Sequence, residues 1–382
     1  MEPAFFDLDV PDLEDGDVRV ATRWSGVSAG TELAYVKGTD PGFTSFRDPE
    51  LGVFVPGRTS RTYPVRSMGY MEVGEVVESR RDDLAEGTLV GAAYGHRSEH
   101  VLARSDVVVP VPADVDPVLG IYLAQMGPIC ANGLLHAAAE LAPGRDVRLG
   151  DGVPGRTVLV TGAGVVGLLC ALLAQLHGAA EVVVADPDPH RLAVAGRLGL
   201  DHLDTSSTEV WRWCKDRWRH GPGDRGADVV LQCRARSAVL HEALRSLRPQ
   251  GCVIDLAFYQ GGADDLRLGE EFHHNGLTIR CAQIGRVPRG LAPDWDRLRL
   301  AQETARLLQA RGTDLRAHLV TDVVPEPDAP GGGAARGPPP GPAPPPGGAR
   351  GGGPPPPRAG TQVVIEYPRG RSAVRGAGAA DG

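Results

Sequence analysis

Three glycines with a fixed spacing follow a short apolar segment near the middle of the chain. Gly162, Gly164 and Gly167 form a G-x-G-x-x-G pattern after the apolar residues 158–160, and a second apolar run follows them. In a strand–turn–helix unit, such glycines permit a tight turn, close approach of a pyrophosphate and close helix–strand packing. The N-terminus of the helix then offers unpaired N–H groups to negative charge. The pattern therefore predicts a dinucleotide site.

An acidic residue ends the next predicted strand, residues 182–185. Asp186 is placed to accept hydrogen bonds from both hydroxyls of an adenosine ribose and to repel a 2′-phosphate, which favours NAD(H) over NADP(H). Arg191 is placed either over the adenine or toward the ribose, where it would tolerate that phosphate. Tyr259 follows another predicted strand, residues 252–257, at the end of the strand where open sheets bind ligands. The predicted cofactor-binding residues are Gly162, Gly164, Val165, Val166, Gly167, Asp186, Arg191 and Tyr259.

The apolar run has an alternative interpretation as a membrane span. Residues 158–174 are almost all apolar, but three glycines interrupt the first half and the remaining helix is short. A buried parallel strand followed by a packed helix explains the same hydrophobicity. We therefore predict no membrane partner.

Composition argues against several other classes of partner. The 382 residues carry a net charge of −8 and no basic stripe, so a nucleic-acid partner is not expected. The six cysteines are scattered without a C-x-x-C pair, and the acidic N-terminus lacks the features of a signal peptide. These features predict a reduced, cytoplasmic protein whose partner is a small-molecule substrate.

The periodicity of the chain predicts two kinds of architecture. Residues 17–112 have the pattern of short strands separated by turns, and residues 116–141 and 294–311 each have that of a helix. From residue 157 onward strands alternate with helices, which is typical of a parallel, doubly wound sheet. We predict an α/β fold with a β-rich domain at residues 1–120, a nucleotide-binding domain at 121–290, and a return to the first domain at 291–328 and 361–368.

A low-complexity tract precedes the last predicted strand. Residues 331–360 contain only Gly, Pro, Ala and Arg, which cannot build an apolar core, and we predict disorder over 329–360. Residues 361–367 again have the pattern of a strand. The tract is therefore either a genuine flexible insert or the product of two compensating frame shifts.

The order of a β-rich domain, a helix and a nucleotide-binding domain resembles the medium-chain dehydrogenase/reductase superfamily. Its members join a GroES-like catalytic domain to a Rossmann domain. The segment from Gly26 to Glu32 contains Ser-Ala-Gly-Thr-Glu, which is similar to the S-x-G-T-E signature of a subgroup that includes bacteriochlorophyllide dehydrogenase-like proteins. The resemblance implies an oxidoreductase with a nicotinamide cofactor that assembles as a homodimer or homotetramer.

Other residues occupy the zinc-ligand positions of that superfamily in this chain. The resemblance places those positions at Ser28 (or Ala29), Tyr70 and Gly127, and the lobe with four zinc-binding cysteines is missing. Zinc requires three or four nitrogen, sulfur or oxygen ligands, so we predict no zinc. The alternative is an unusual site that uses Cys130, His136 or His96.

Without zinc, a side chain must handle the proton that accompanies hydride transfer. The resemblance places Ser28, Thr31, Glu32 and Tyr70 around the nicotinamide end of the cleft. Tyr70 is the first candidate to donate to the carbonyl oxygen, with Thr31 or Glu32 as a relay. The alternatives are that Tyr70 only fills the space that zinc would occupy and that Glu32 has a structural role.

A pair of adjacent histidines adds one more candidate. His273 and His274 follow the predicted strand at 252–257, and at most one of them is expected to face the cleft. A histidine suits acid–base chemistry near neutral pH, so His273 is a candidate catalytic residue. A surface position is the alternative.

These features predict a zinc-independent, NAD(H)-dependent oxidoreductase that interconverts a secondary alcohol and a ketone on a small or medium-sized substrate, such as a biosynthetic intermediate. Two other functions stay open. One is a quinone or enoyl reductase of the NADPH type, and the other is an NAD-binding protein without turnover.

Overall fold

The computed structural model describes residues 2–144, 146–329, 361–368 and 375–380. The tract predicted to be disordered, residues 329–360, lies outside the described residues apart from Ala329.

A six-stranded parallel sheet forms the second half of the described chain. Its strands alternate with helices along the sequence, and the strand order is that of a doubly wound fold, in which the first strand lies at the centre and the chain winds outward in both directions. In spatial order the strands are Asp201–Asp204, Glu181–Asp186, Thr157–Thr161, Ala227–Gln232, Leu247–Asp255 and Thr278–Cys281.

Both faces of this sheet are buried, because apolar side chains along each strand point alternately to the two faces. Val158 and Val160 belong to one apolar cluster, and Leu159 between them belongs to the other. The helices Met126–Leu141, Val165–Leu176 and Arg297–His318 pack together on the first face. The other face is covered by the helices Val210–Arg217 and Ser237–Ser246. Continuous apolar strands are typical of parallel sheets covered in this way.

A second, mostly antiparallel sheet is formed by the N-terminal part of the chain. Val18–Gly26 lies at its centre and pairs with Glu72–Ser79, with Glu99–Leu102 and with Gln362–Glu366. The strand Gln362–Glu366 in turn pairs in parallel with Val320–Pro325. The C-terminal strands therefore complete the N-terminal sheet, whose remaining strands are Leu89–Ala92 and Val109–Pro110.

The remaining elements are short. Three two-stranded pairs join Glu2–Asp7 to Arg375–Ala380, Ser45–Arg47 to Phe54–Pro56, and Arg219–Gly221 to Asp224–Arg225. The other helices and helical turns are Ala29–Lys37, Pro41–Phe43, Pro117–Tyr122, Pro189–Arg197, Leu268–Phe272, Arg289–Leu291 and Glu326–Asp328. This architecture confirms the predicted fold class, whereas the exact domain boundaries stay a prediction.

Two predicted helices have different bounds in the structure. The helix predicted over 116–141 is divided into a 3₁₀ turn and the helix Met126–Leu141, because Gln125 leaves helical geometry with φ −137° and ψ −58°. The helix predicted over 294–311 begins at Arg297 and continues to His318. It continues past Gly312 because the next turn buries Leu315 in the core.

The run at residues 158–174 is a strand and a helix, as predicted. None of the helices among the described residues combines the length and the apolar character that a membrane crossing requires.

Two leucines on one helix test the packing of the parallel sheet. Leu169 on Val165–Leu176 is fully buried, whereas Leu176 at its end is 44% exposed. We expect Leu169→Ala to lower the free energy of unfolding by about 2–5 kcal/mol, because it leaves a cavity in the core. The matched Leu176→Ala should change it by less than about 1 kcal/mol. Chemical denaturation of both variants measures the difference, and equal losses would contradict the assigned packing.

Candidate active site

The glycine turn has the geometry that dinucleotide binding requires. Gly162 follows the strand Thr157–Thr161 with φ 101°, a conformation that favours glycine. A Cβ added at Gly167 would lie 1.8 Å from the Gly162 carbonyl oxygen, so the close packing of strand and helix needs a glycine there. A Cβ at Gly164 would meet no atom within 4 Å. Gly164 therefore borders open space at the start of the helix, where a pyrophosphate can approach.

The side chain of Asp186 is hydrogen-bonded to this turn. It ends the strand Glu181–Asp186 and is only 2% exposed. Its Oδ2 accepts a hydrogen bond from the Ala163 N–H (2.9 Å) and its Oδ1 accepts one from the Asp188 N–H (2.9 Å). Because a carboxylate oxygen has two acceptor positions, each retains capacity for a ribose hydroxyl.

A cavity of about 520 Å³ lies beside Asp186 at the carboxyl edge of the sheet. Its lining includes Ala185, the hydroxyl residues Ser206 and Ser207, and Arg234, and its size falls within the usual range for small-molecule sites. Arg234 Nη1 also lies 3.9 Å from Asp186 Oδ2. The cavity thus lies next to the carboxylate that we predict to bind the adenosine ribose.

The structure places a different arginine at this cavity from the one that we predicted. Arg191 Nε pairs with Asp188 Oδ2 at 3.7 Å and does not line the cavity. Sequence reasoning missed Arg234, although its position just after the strand Ala227–Gln232 was a usable signal, since ligands bind at strand carboxyl ends.

Tyr259 also lies at the carboxyl edge. Its hydroxyl accepts a hydrogen bond from Gln232 Nε2 (3.1 Å) and donates one to Asp255 Oδ1 (3.3 Å). The next residue, Gln260, is hydrogen-bonded through its side chain to Thr39 of the N-terminal part. This contact brings the region after the helix Ala29–Lys37 to the edge of the parallel sheet that carries the glycine turn.

Four predicted catalytic residues are brought together at the start of that helix. The Tyr70 hydroxyl makes a short hydrogen bond to Ser28 Oγ and lies 3.4 Å from Thr31 Oγ1. The Ser28 N–H donates to Glu32 Oε1 at 2.6 Å. Ser28 holds the N-cap position but makes no side-chain cap bond, so its hydroxyl is available to Tyr70. The helix Ala29–Lys37 itself was not predicted.

The surroundings of Tyr70 keep its hydroxyl protonated. Burial raises the pKa of Tyr70 above its ordinary value of about 10, and the hydrogen bonds from Ser28 and Thr31 only partly oppose this effect. At neutral pH the phenol is therefore neutral and can donate a hydrogen bond. Tyr70 packs against the same apolar cluster as Val165 and Val166 at the start of the cofactor helix.

Behind Ser28 lies a buried polar group that sequence reasoning identified only in part. His96 Nε2 lies 2.9 Å from Glu32 Oε2, and His96 Nδ1 lies 2.6 Å from Ser25 Oγ. Ser25 donates to Glu72 Oε1 at 3.1 Å. The roles of Ser25 and Glu72 had no local sequence signal, because their partners are distant in the chain.

The residues that the family resemblance assigns to the zinc-ligand positions make other contacts in the structure. Ser28 and Tyr70 bind each other, and a Cβ at Gly127 would lie 2.1 Å from Thr304 Cγ2, so a ligand side chain has no room there. The alternative ligands have other partners: Cys130 Sγ contacts Val166 O (3.5 Å), His136 Nδ1 accepts from Arg280 Nε (3.0 Å), and His96 binds Glu32 and Ser25.

One cluster of potential metal ligands exists among the residues that the structure describes, and it lies on other elements. His241, Glu270 and Glu271 bring their ligand atoms within 4.8 Å of one another. They belong to the helix Ser237–Ser246 and the turn Leu268–Phe272, and Glu271 Oε1 lies 3.5 Å from Arg245 Nε. The cluster contains none of the residues around Tyr70.

The structure separates His273 from the candidate site. His273 and His274 are exposed and line a cavity of about 920 Å³ together with Gln250. The Gln250 N–H donates to Asn275 O at 2.8 Å, which holds this segment near the start of the strand Leu247–Asp255. The glycine turn lies at the opposite edge, where the parallel strands end. The expectation that His273 faces the catalytic cleft is therefore wrong, because its segment leads into the beginning of a strand.

Comparisons with known proteins identify dehydrogenases that are similar in sequence or fold. A family model described as zinc-binding dehydrogenase matches residues 165–298. D-guloside 3-dehydrogenase of Escherichia coli K12 is 28% identical over 305 residues, which cover 76% of this chain and 81% of that protein. The alcohol dehydrogenase TADH from Thermus sp. ATN1 has a TM-score of 0.66 at 19% identity and covers 96% of this chain and 100% of its own.

A further solved structure carries a cofactor. It is a Sinorhizobium meliloti 1021 protein described as a zinc-binding dehydrogenase and bound to NADP, with a TM-score of 0.65 at 19% identity over 94% of each chain. Together, these matches support a place for the chain in the zinc-binding dehydrogenase superfamily of medium-chain dehydrogenases/reductases. They also support an oxidoreductase of this type.

Two glycine variants separate the folding role of the turn from its binding role. We expect Gly167→Ala to destabilise the protein, because the methyl group would collide with the Gly162 carbonyl. Gly164→Ala should keep the wild-type melting temperature, since its methyl group enters open space, yet weaken NADH binding at least about tenfold, since that space admits the pyrophosphate. Thermal melting and fluorescence titration with NADH measure the two effects. Unchanged NADH affinity in Gly164→Ala would contradict the assigned site.

Proposed function

We propose that the chain is a zinc-independent, NAD(H)-dependent oxidoreductase that interconverts a secondary alcohol and a ketone. The observation that carries this proposal is the contact of the Tyr70 hydroxyl group with Ser28 and, at 3.4 Å, with Thr31 Oγ1. The family resemblance assigns Ser28 and Tyr70 to zinc-ligand positions. The name of the Escherichia coli relative, a guloside dehydrogenase, supports an alcohol as the substrate class.

The proposed chemistry divides between cofactor and protein. A bound nicotinamide dinucleotide would accept or supply the hydride. In the reducing direction, Tyr70 donates its hydrogen bond and then its proton to the carbonyl oxygen, which becomes the alcohol oxygen. Ser28 Oγ is in hydrogen-bond contact with the phenol and stabilises the phenolate, which regains its proton from solvent. In the oxidising direction, Tyr70 must first lose its proton to solvent, and the resulting phenolate then accepts the proton of the alcohol.

The binding of the cofactor is assigned to the carboxyl edge of the parallel sheet. Gly162, Gly164 and Gly167 shape the turn for the pyrophosphate, and the free acceptor positions of Asp186 receive the ribose hydroxyls. Burial of a second negative charge beside this carboxylate is unfavourable, which supports NAD(H) over NADP(H).

A second candidate is an NADPH-dependent quinone or enoyl reductase. Arg234 beside Asp186 supports it, because its guanidinium partly offsets the carboxylate charge in a cavity that hydroxyl side chains also line. The NADP-bound Sinorhizobium structure adds support of the same kind. NAD binding without turnover is the outcome that would exclude both enzymatic proposals. The homodimer or homotetramer and the cytoplasmic location stay predictions.

Cofactor titrations distinguish the two candidates. We expect NADH to bind at least about tenfold more tightly than NADPH, and Asp186→Asn to reduce this preference, because the variant removes the charge that repels the 2′-phosphate. Asp188→Asn removes an equal charge two residues away and is the matched control, since its side chain binds the His190 N–H rather than the glycine turn. Tighter binding of NADPH by the wild type would favour the second candidate.

Replacing Tyr70 tests the proton donor. We expect Tyr70→Phe to keep its NADH affinity and to lose about 10²–10⁴-fold in kcat on a panel of alcohols and ketones, because only the hydroxyl is removed. Tyr94→Phe is the matched control, since its hydroxyl binds Thr22 Oγ1 (2.8 Å) in the interior of the antiparallel sheet. Elemental analysis accompanies the assay, and one equivalent of zinc that leaves together with activity would contradict the proposed mechanism.

A further inference from the structure

Four polar side chains form a continuous buried group behind the Tyr70 site. Ser25 and Glu72 are fully buried, and Glu32 and His96 are each 5% exposed. The hydrogen bonds run from Glu32 through His96 to Ser25 and then to Glu72, whose second oxygen accepts from the Tyr94 N–H at 2.9 Å. Such burial is costly unless every member is bonded, so the group holds one defined arrangement.

The pattern of donors and acceptors in this group requires a positive charge on His96. Ser25 donates its proton to Glu72, so its oxygen accepts from His96 Nδ1, while Nε2 faces the Glu32 carboxylate. Both ring nitrogens are donors only in the imidazolium. Burial by itself lowers the pKa of His96, but the charges of Glu32 and Glu72 outweigh this effect and raise it above its ordinary value. These two carboxylates are the titratable groups that face the ring.

The other contact of His96 is with the backbone that carries Tyr70. A Cβ at Gly69 would lie 2.7 Å from His96 Cε1, and Gly69 has φ 88°. The His96 N–H donates to Met68 O at 2.7 Å. The imidazole ring therefore lies directly against the residue that precedes Tyr70, and only glycine allows this approach.

We propose that His96 is the positioning residue of the Tyr70 site. Its Nε2 holds Glu32, whose other oxygen holds the Ser28 N–H, and its ring supports the backbone at Gly69. One imidazolium thus fixes the positions of both Ser28 and Tyr70, which are the two partners of a hydrogen bond. The assignment of catalysis to Tyr70 rests on the proposed function, but the positioning of its hydroxyl does not depend on turnover.

The test compares His96→Gln with His100→Gln by NMR of protein labelled at tyrosine Cζ, with Tyr70→Phe assigning the Tyr70 resonance. We expect the wild-type resonance to follow a titration above the ordinary histidine pKa of about 6.5, and His96→Gln to shift the resonance and abolish that titration. His100 is half-buried and stacks on Tyr94 without reaching Glu32, so His100→Gln should leave the resonance unchanged. An unchanged Tyr70 resonance in folded His96→Gln would overturn the proposal.

The same variants are then assayed for binding and turnover. His96→Gln should lower kcat by about tenfold to a hundredfold with unchanged NADH affinity, since misplacement of a reacting group has effects of this size. If His96→Gln loses the native melting transition, Ser25→Ala replaces it, because it removes the partner of His96 Nδ1 and the donor to Glu72 but leaves the His96–Glu32 contact in place. It should shift the same resonance, and no shift would overturn the proposal. A shifted resonance in a protein that turns over no substrate supports the positioning role and refutes the proposed function.

Discussion

The close approach of the Gly167 backbone to the Gly162 carbonyl is the constraint on which the cofactor end of the molecule depends. A single methyl group would fill that gap, so the helix Val165–Leu176 can pack at this distance from its strand only with glycine at 167. The same turn presents the Ala163 N–H to Asp186. The turn therefore both allows the helix to pack and helps to orient the carboxylate on which the proposed choice of cofactor depends.

At the other end of the site the governing constraint is that buried charge needs partners. Glu32 and Glu72 are inside the protein, and burial raises the pKa of Glu72 above its ordinary value. His96 bonds one carboxylate directly and the other through Ser25. Removal of one member of such a group leaves an uncompensated charge, which is strongly unfavourable. The proposed zinc-free site thus has its own ionic framework, built from side chains rather than from a metal.

Much of this molecule could be predicted from local sequence. The glycine spacing, Asp186 and the alternation of strands and helices led to the parallel sheet that the structure contains, because backbone conformation and burial period are local properties. The grouping of Ser28, Thr31, Glu32 and Tyr70 was expected only through a family resemblance. The structure shows the bonds within that grouping. Arg234 was missed, since nothing near it in sequence identifies the cavity that it lines.

The amino-acid sequence by itself determined the order of the strands and helices and the chemistry of the glycine turn. Only the tertiary structure decided which distant side chains meet. It brought His96 to Glu32 across 64 positions of sequence, and it placed His273 at the edge of the sheet where strands begin. The reason is physical. The pairing and direction of strands set the distances between residues that are far apart in the chain. Strand pairing and direction cannot be deduced from the sequence on either side of any one such residue.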